Sequence, residues 1–462
     1  MTEPHTGPHG VGDRPDGAHP AGDHRPNVLV VLTDQQTADA MSATGNPHLA
    51  TPHMDALAAA GTRYRQAYCA QPLCAPSRAS LLTGLLPSGL GVTGNEGGPE
   101  PLLGRLFAGA GYDCGYGGKW HLPELDLPEG RGFRRIHPAG DDAGLARAAA
   151  AFVREPRDRP FLLVASFLEP HGICEWARGQ DPKTGPLPAP PPAADCPPLP
   201  ANFPPAPYEA RLPRLAQRAW AHTHPTEEWR EDDWRRYRYA YYALVERVDR
   251  HLGTVLTALH EPDDGPDGGP DDGPDGGPSD APGRRRETVV VFSSDHGDGA
   301  GAHRWNQKWA LYEESVRVPF LVSGPGTVAG AVSDRLVSTG PDLIPTLCDL
   351  AGVTPPPGLP GRSVRAPAPR ETVVVETRWE LPGFNNALGR MIRDERHKYV
   401  CYAWGDHREQ LFDLGADPGE MVNLAVDSRY AALLDRFRAL LAGHCARSGD
   451  PFARFVPAPA AG

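Results

Sequence analysis

Four short apolar runs in this chain each stop abruptly on residues that bind ions or carry protons. Asn27–Thr33 (NVLVVLT) stops at Asp34-Gln35-Gln36, and Phe161–Phe167 (FLLVASF) stops just before Glu169-Pro170-His171. Thr288–Phe292 (TVVVF) stops at Ser293-Ser294-Asp295-His296-Gly297-Asp298, and the shorter Tyr112–Tyr116 leads into Gly117-Gly118-Lys119-Trp120-His121. Continuous apolar runs of this length mark parallel strands buried on both faces. In open α/β sheets, ligands bind beyond the carboxyl ends of such strands. One such ending is an ordinary polar loop. Four together predict a single polar site assembled from distant segments.

Helices are expected between the strands. Thr51–Gly61 opens on Thr-Pro and closes on Gly, and Tyr239–Leu259 has apolar residues at helical spacing. The last hundred residues change character. Thr372–Glu376, Met391–Tyr402 and Gln410–Leu414 read as short antiparallel strands, and Ser428–Ala446 as a closing helix. A domain change is therefore expected near residue 368. Between helix and strand, Glu261–Pro282 carries eight acids, no base and two tandem copies of DDGPDGGP. A Gly/Pro octamer builds no core, so this insertion is expected to be a disordered, solvated spacer. Gly185–Pro207 is proline-rich and expected to be extended, a candidate wall for a substrate cleft.

Composition excludes several classes. The net charge of −12 sits largely in the acidic insertion, and no basic stripe suits nucleic acid. No apolar run approaches the length of a membrane span. Met1–Pro26 is Gly/Pro/His-rich and lacks the apolar core of a secretory signal. The eight cysteines include no C-x-x-C pair, so reduced thiols in a cytoplasmic protein are expected. Only four of the 46 basic residues are lysine: Lys119, Lys183, Lys308 and Lys398. A chain that uses arginine almost everywhere invites the inference that a surviving ammonium is required.

The most informative stretch is Cys74-Ala75-Pro76-Ser77-Arg78-Ala79-Ser80-Leu81-Leu82-Thr83-Gly84. Pro76 suits a first helical turn, which puts Cys74 at a helix N-terminus, where anions are favoured and thiol pKa values fall. Arg78, one turn on, can point at the same anion. This C-x-P-S-R followed by A-S-L-L-T-G resembles the signature of formylglycine-dependent sulfatases. The likeness extends to the opening strand with Asp34, to Gly118-Lys119-Trp120-His121, Glu169-Pro170-His171 and Ser294–Asp298, and to the run from His303 through Lys308 to Tyr312–Phe320. Leu411–Leu424 (LFDLGADPGEMVNL) looks like the family's C-terminal hallmark. Only the amino tail, the acidic repeat and the proline-rich stretch fall outside.

The resemblance implies an alkaline phosphatase-like α/β fold: a large mixed, mostly parallel sheet sandwiched by helices, with a smaller C-terminal α+β subdomain on a short antiparallel sheet. It implies a disordered tail over 1–25, a catalytic domain over 26–367 interrupted by 261–282, and the subdomain over 368–462. It implies that a formylglycine-generating enzyme converts Cys74 to an aldehyde whose hydrate attacks sulfur, with Arg78, Lys119, His121, His171 and Lys308 completing the catalytic set. Asp34, Gln35, modified Cys74, Asp295 and His296 are the implied ligands of one divalent cation. Ca²⁺ comes first, with Mn²⁺ or Mg²⁺ as the alternatives that a histidine ligand favours. Many members carry an aspartate where this chain has Gln35, which removes one negative charge from the site.

A sulfate monoester expels an alcohol as its S–O bond breaks, so the site needs fixed cations around the sulfuryl oxygens and a proton donor near the leaving oxygen. Arg78, Lys119 and Lys308 supply cations. His121 is expected to act as base, and His171 or Lys308 as the leaving-group acid. His303 and Trp305 are expected to touch substrate, and Trp120, Glu175, Trp176 and Trp379 are further candidates to line its pocket. The expected substrate is a small sulfated molecule, a sugar, aryl or choline ester, with neither nucleic acid nor membrane as partner. Two alternatives stand beside this: a phosphonate monoester or phosphodiester hydrolase on the same scaffold, and a catalytically inactive sulfatase-like binding protein.

Overall fold

The computed structural model describes residues 24–458 except 93, 96–99, 123–128, 221–224, 261–285, 382–383 and 385–386. Most of the amino tail and the acidic insertion therefore lie outside the described residues. The strands, in chain order, are β1 (Asn27–Asp34), β2 (Gly61–Tyr68), β3 (Asp113–Gly118), β4 (Arg134–His137), β5 (Phe161–Pro170) and β6 (Thr288–Ser294). They continue with β7 (Phe320–Ser323), β8 (Ala331–Ser338), β9 (Val373–Arg378), β10 (Leu388–Arg393), β11 (His397–Tyr402) and β12 (Glu409–Asp413). The first eight form one sheet in the order β4-β3-β5-β1-β6-β7-β2-β8. It is parallel throughout except for β7, which runs against both β6 and β2.

Strand periodicity explains the layers. Successive side chains point to opposite faces. Leu29, Val31, Leu163, Ala165 and Phe292 pack on one side against helices Asp142–Arg154 and Glu231–His260. Val28, Val30, Leu32, Leu162, Val164, Val289 and Val291 pack on the other, against Cys74–Thr83, Leu103–Gly109 and Thr339–Ala351. Both faces of β1 and β5 are buried, which is why their sequences read as unbroken apolar runs.

The second sheet is antiparallel, ordered β12-β11-β10-β9. One face, through Ile392, Tyr399, Cys401 and Leu411, buries Leu434, Phe437 and Leu441 of the closing helix Ala431–Ser448. The other, through Val373, Val375, Met391 and Val400, packs on Tyr68, Leu311, Val316 and Val318 of the large unit. The architecture is the expected one: a large mixed, mostly parallel sheet between helices and a smaller antiparallel sheet.

Some boundaries differ from expectation. The segment Met391–Tyr402, read as one strand, is split into β10 and β11. Asp394 Oδ1 accepts from the amides of Arg396 at 2.9 Å and His397 at 2.7 Å, closing a turn that reverses the chain. The long helix starts eight residues earlier than expected, at Glu231, with Glu231, Asp232 and Asp233 in its first turn, where acids suit the helix dipole. The proline-rich stretch is irregular apart from one short turn at Ala193–Asp195. All eight cysteines are free and buried. Among the described residues, no helix is long and apolar enough to cross a membrane.

Candidate active site

Four adjacent strands of the large sheet, β3, β5, β1 and β6, end on one edge, and each hands over a polar residue there. Strand β1 ends on Asp34, β3 runs into Lys119, β5 leads to His171, and β6 leads to Asp295 and His296. The loop after β2 adds helix Cys74–Thr83, whose first residue is Cys74. Its N-cap, Leu73, has no capping side chain; Asn95 Oδ1 accepts from the Ala75 amide at 3.3 Å. The helix N-terminus therefore points its free dipole end at the strand edge.

Arg78 ties this arrangement together. It is almost wholly buried, with Nε on Asp295 Oδ2 at 2.8 Å and Nη2 on Asp34 Oδ2 at 2.9 Å. Its Nη1 donates to the Lys119 carbonyl at 2.9 Å and to Ser166 Oγ at 2.7 Å. Lys119 Nζ meets Asp34 Oδ2 at 2.6 Å, and His171 Nδ1 lies 2.7 Å from Asp34 Oδ1. Lys308 Nζ reaches Cys74 Sγ and Gln35 Oε1, each at 3.0 Å, and His171 Nδ1 at 3.3 Å. His296 Nε2 is 3.2 Å from Cys74 Sγ, while its Nδ1 is 2.9 Å from the Gly297 carbonyl. A carbonyl only accepts, so Nδ1 carries a proton; against burial, Asp295 and Cys74 favour a second proton at Nε2, and only once that proton leaves does Nε2 present a lone pair to the site.

The electrostatics follow from this packing. Burial pushes the Asp34 carboxyl up, but Lys119, His171 and Arg78 outweigh it and hold the group well below the usual carboxylate range. Burial and the Asp34 charge push Asp295 up to about 6, against His296 and Arg78. Burial and Asp34 also raise the Cys74 thiol, yet Lys119, Lys308 and His296 bring it well below its ordinary value. Burial alone would neutralise Lys308; Cys74, Cys174 and Asp34 keep it an ammonium.

The ligand atoms of Asp34, Cys74, Asp295 and His296 all lie within 4.8 Å of one another, and all four residues are buried. Two carboxylates and an imidazole lone pair converging in the interior fit a divalent cation. Gln35 stands beside them. Its Nε2 donates to Asp298 Oδ2 at 2.8 Å, so its amide oxygen faces Lys308. Asp298 in turn accepts from Tyr237 and from the Ala300 amide, which fixes Gln35's orientation.

The other expected site residues fall into two groups. His121 follows β3 at the same edge with φ 53°, and its Nδ1 has no hydrogen-bond partner. His303 and Trp305, expected to touch substrate, are both completely buried. His303 stacks on Tyr312 with ring centroids 4.0 Å apart, and Trp305 Nε1 donates to the Lys308 carbonyl at 2.9 Å. Trp305 thus positions the Lys308 backbone. Trp120 and Trp379 are also interior, packed against Tyr116 and Tyr402. Residues missed by sequence reasoning include Ser166, which receives Arg78 and donates to the Lys119 carbonyl at 2.8 Å. Its signal was a lone hydroxyl inside the apolar run of β5.

Comparison with known proteins gives a consistent picture. A family model described as Sulfatase matches residues 26–267, and one described as N-sulphoglucosamine sulphohydrolase, C-terminal, matches 301–446. A Delta 4,5-hexuronate-2-O-sulfatase of Bacteroides thetaiotaomicron is 31% identical over 94% of this chain and 92% of its own length. The solved structure of a 2-O GAG sulfatase superposes with a TM-score of 0.79 at 30% identity, covering 93% of this chain and 94% of that one. A phosphonate monoester hydrolase from Silicibacter pomeroyi shares the fold, with a TM-score of 0.73 at 22% identity over 92% of this chain and 96% of that one.

Proposed function

This chain belongs to the sulfatase family of sulfuric ester hydrolases, and from that premise we propose that it cleaves a small O-sulfated sugar, a hexuronate 2-O-sulfate first, using position 74 as formylglycine. The observation that carries this reading is the convergence of Arg78, Lys119 and Lys308 around Cys74 at the start of a helix. The choice of sugar is supported by what the hexuronate-2-O-sulfatase, 31% identical over nearly the whole chain, is named for.

Asp34, Asp295 and His296, with the oxygen at position 74, would hold a divalent cation, Ca²⁺ first. Gln35 would join through the second lone pair of its amide oxygen. Formylglycine would supply a hydrated aldehyde oxygen as nucleophile, and the cation would supply charge neutralisation and a lowered proton affinity for that oxygen. The remaining work belongs to this chain's side chains. Lys119 and Lys308 spread positive charge over the sulfuryl oxygens, while Arg78 locks both carboxylates in place from below. Lys308, in contact with both Cys74 and His171, and His171 itself are the proposed proton donors to the leaving oxygen. His121, with an unpartnered ring nitrogen at the same strand edge, is the proposed base that takes the proton when sulfate departs.

The test measures inorganic sulfate released from a 2-O-sulfated hexuronate disaccharide, beside matched aryl sulfate and phenylphosphonate esters. The expected order is the sugar sulfate, then the aryl sulfate, with the phosphonate at least about 100-fold slower in kcat/KM and all activity lost in Cys74→Ala. Faster turnover of the phosphonate would replace this reading with the phosphonate hydrolase.

A further inference from the structure

Behind the Lys308 loop lies a second group of metal-ligating side chains, distinct from the cluster at Cys74. His303, Glu314 and Glu420 bring one imidazole nitrogen and two carboxylate oxygens within 4.8 Å of one another. They come from three places: the loop leading to Lys308, the short helix Glu313–Val316, and the turn after β12.

Hydrogen bonding leaves this group incomplete. His303 is fully buried, yet neither ring nitrogen makes a hydrogen bond of ordinary geometry. The Gly419 carbonyl lies beside the ring and also accepts from Asn202 Nδ2 at 3.2 Å, which leaves at least one ring nitrogen without a partner. Burial, with Arg214 and Lys398 nearby, disfavours the protonated ring, and a neutral ring offers one nitrogen lone pair. Glu314 Oε1 accepts from Asn202 Nδ2 at 2.9 Å, but its buried Oε2 has no partner. Lys398 pairs with Glu313 at 3.1 Å and Glu420 at 2.7 Å, and Arg317 adds a contact to Glu313 at 3.3 Å. None of these cations pairs with Glu314 among the described residues. One buried oxygen of the half-buried Glu314 and one buried imidazole nitrogen thus lie in the same space. Such groups are costly unless something binds them.

We propose that His303, Glu314 and Glu420 form a second cation site that takes Zn²⁺ and staples the Lys308 loop to the C-terminal unit. Zinc accepts an imidazole with carboxylate oxygens, and this group lacks the further oxygen donors, from Gln35 and position 74, that would suit Ca²⁺ at the first cluster. Glu420 can serve because each carboxylate oxygen has two lone pairs, and Lys398 occupies one of those on Oε1. The staple acts where the backbone needs it. Ala300, His303, Arg304, Gln307 and Trp309 all have positive φ, between 47° and 71°. Non-glycine residues in that region persist only when their surroundings hold them.

The experiment is elemental analysis of purified, matured protein dialysed against zinc and then against zinc-free buffer. The wild-type chain should retain about one zinc per molecule, and added zinc should raise its Tm. Glu314→Gln and His303→Gln should each lose that zinc and the Tm response, while keeping the cation bound by Asp34, Asp295 and His296. Asp295→Asn, which removes a catalytic ligand, should keep the zinc, so a failed sulfatase assay leaves this result standing. A wild-type chain without zinc, or zinc retained in both site variants, overturns the inference. Should both variants fail to fold, anomalous diffraction at the zinc edge from wild-type crystals decides. A peak between the three side chains supports the site, and its absence there refutes it.

Discussion

Arg78 carries the charge balance of the site through four directed contacts, two of them to buried carboxylates. A lysine at this position has a single charged atom and cannot hold Asp34, Asp295 and Ser166 together. Arg78→Lys is therefore expected to lower stability by about 3 kcal/mol, the scale for breaking a buried ion pair. Sulfate release should fall by at least about 100-fold. Urea denaturation and a sulfate-release assay check both; a folded, active variant would contradict them. Glu169 gives a pH prediction. Burial pushes its carboxyl up from 4.5 to about 7, against its bonds to Thr184 and the Gly172 amide. In the fold it holds its proton at pH values where the unfolded chain has released it. Its contribution is thus full below pH 4.5 and is lost as pH rises through about 7. Glu169→Gln should remove this slope, gaining on the wild type by up to about 3 kcal/mol between those limits. Parallel stability curves for the two proteins would exclude it.

At the scale of elements, the junction of β3 and β5 sets where Lys119 stands. Gly118 has φ 87°, and a Cβ there would lie 1.9 Å from the Ser166 carbonyl oxygen and 2.7 Å from Leu145. Gly118→Ala must push β3 off β5, and Lys119 with it, since the Lys119 amide bonds that same carbonyl at 2.8 Å. The expected cost is about 2–4 kcal/mol in stability. A drop in kcat larger than the rise in KM is also expected, read by thermal melts and steady-state kinetics; wild-type values would refute the placement of Lys119. These strands were legible because burial on both faces leaves an unbroken apolar run, and the polar residues that end those runs do meet at one edge. The split of β10 from β11 was hidden because Asp394, Glu395 and Arg396 contain neither Gly nor Pro; the turn depends on one carboxylate capping two amides. The burial of His303 and Trp305 was equally hidden, since a motif next to Lys308 gives only proximity in sequence and five residues of that loop take positive φ.

For the whole molecule, the large sheet supplies the strand edge and the antiparallel sheet braces it through Tyr68, Leu311, Val316 and Val318. Asp34 and Asp295 share one buried space with too little positive charge to satisfy Asp295, and a bound cation would relieve that. Chelation is accordingly expected to abolish sulfate release and lower Tm, and re-addition of Ca²⁺, Mn²⁺ or Mg²⁺ in turn to identify which restores both. Activity and Tm indifferent to chelator would remove the cation from the account. The central claim rests on Cys74, and its most direct test is the mass of the tryptic peptide Gln66–Arg78 from protein made with a formylglycine-generating enzyme. After alkylation, Cys69 in the same peptide reports an ordinary thiol. The account predicts one alkylated cysteine, at Cys69, and a residue 74 lighter than cysteine by about 18 Da, as exchange of a thiol for an aldehyde requires. Two alkylated thiols in a preparation that still releases sulfate would contradict it.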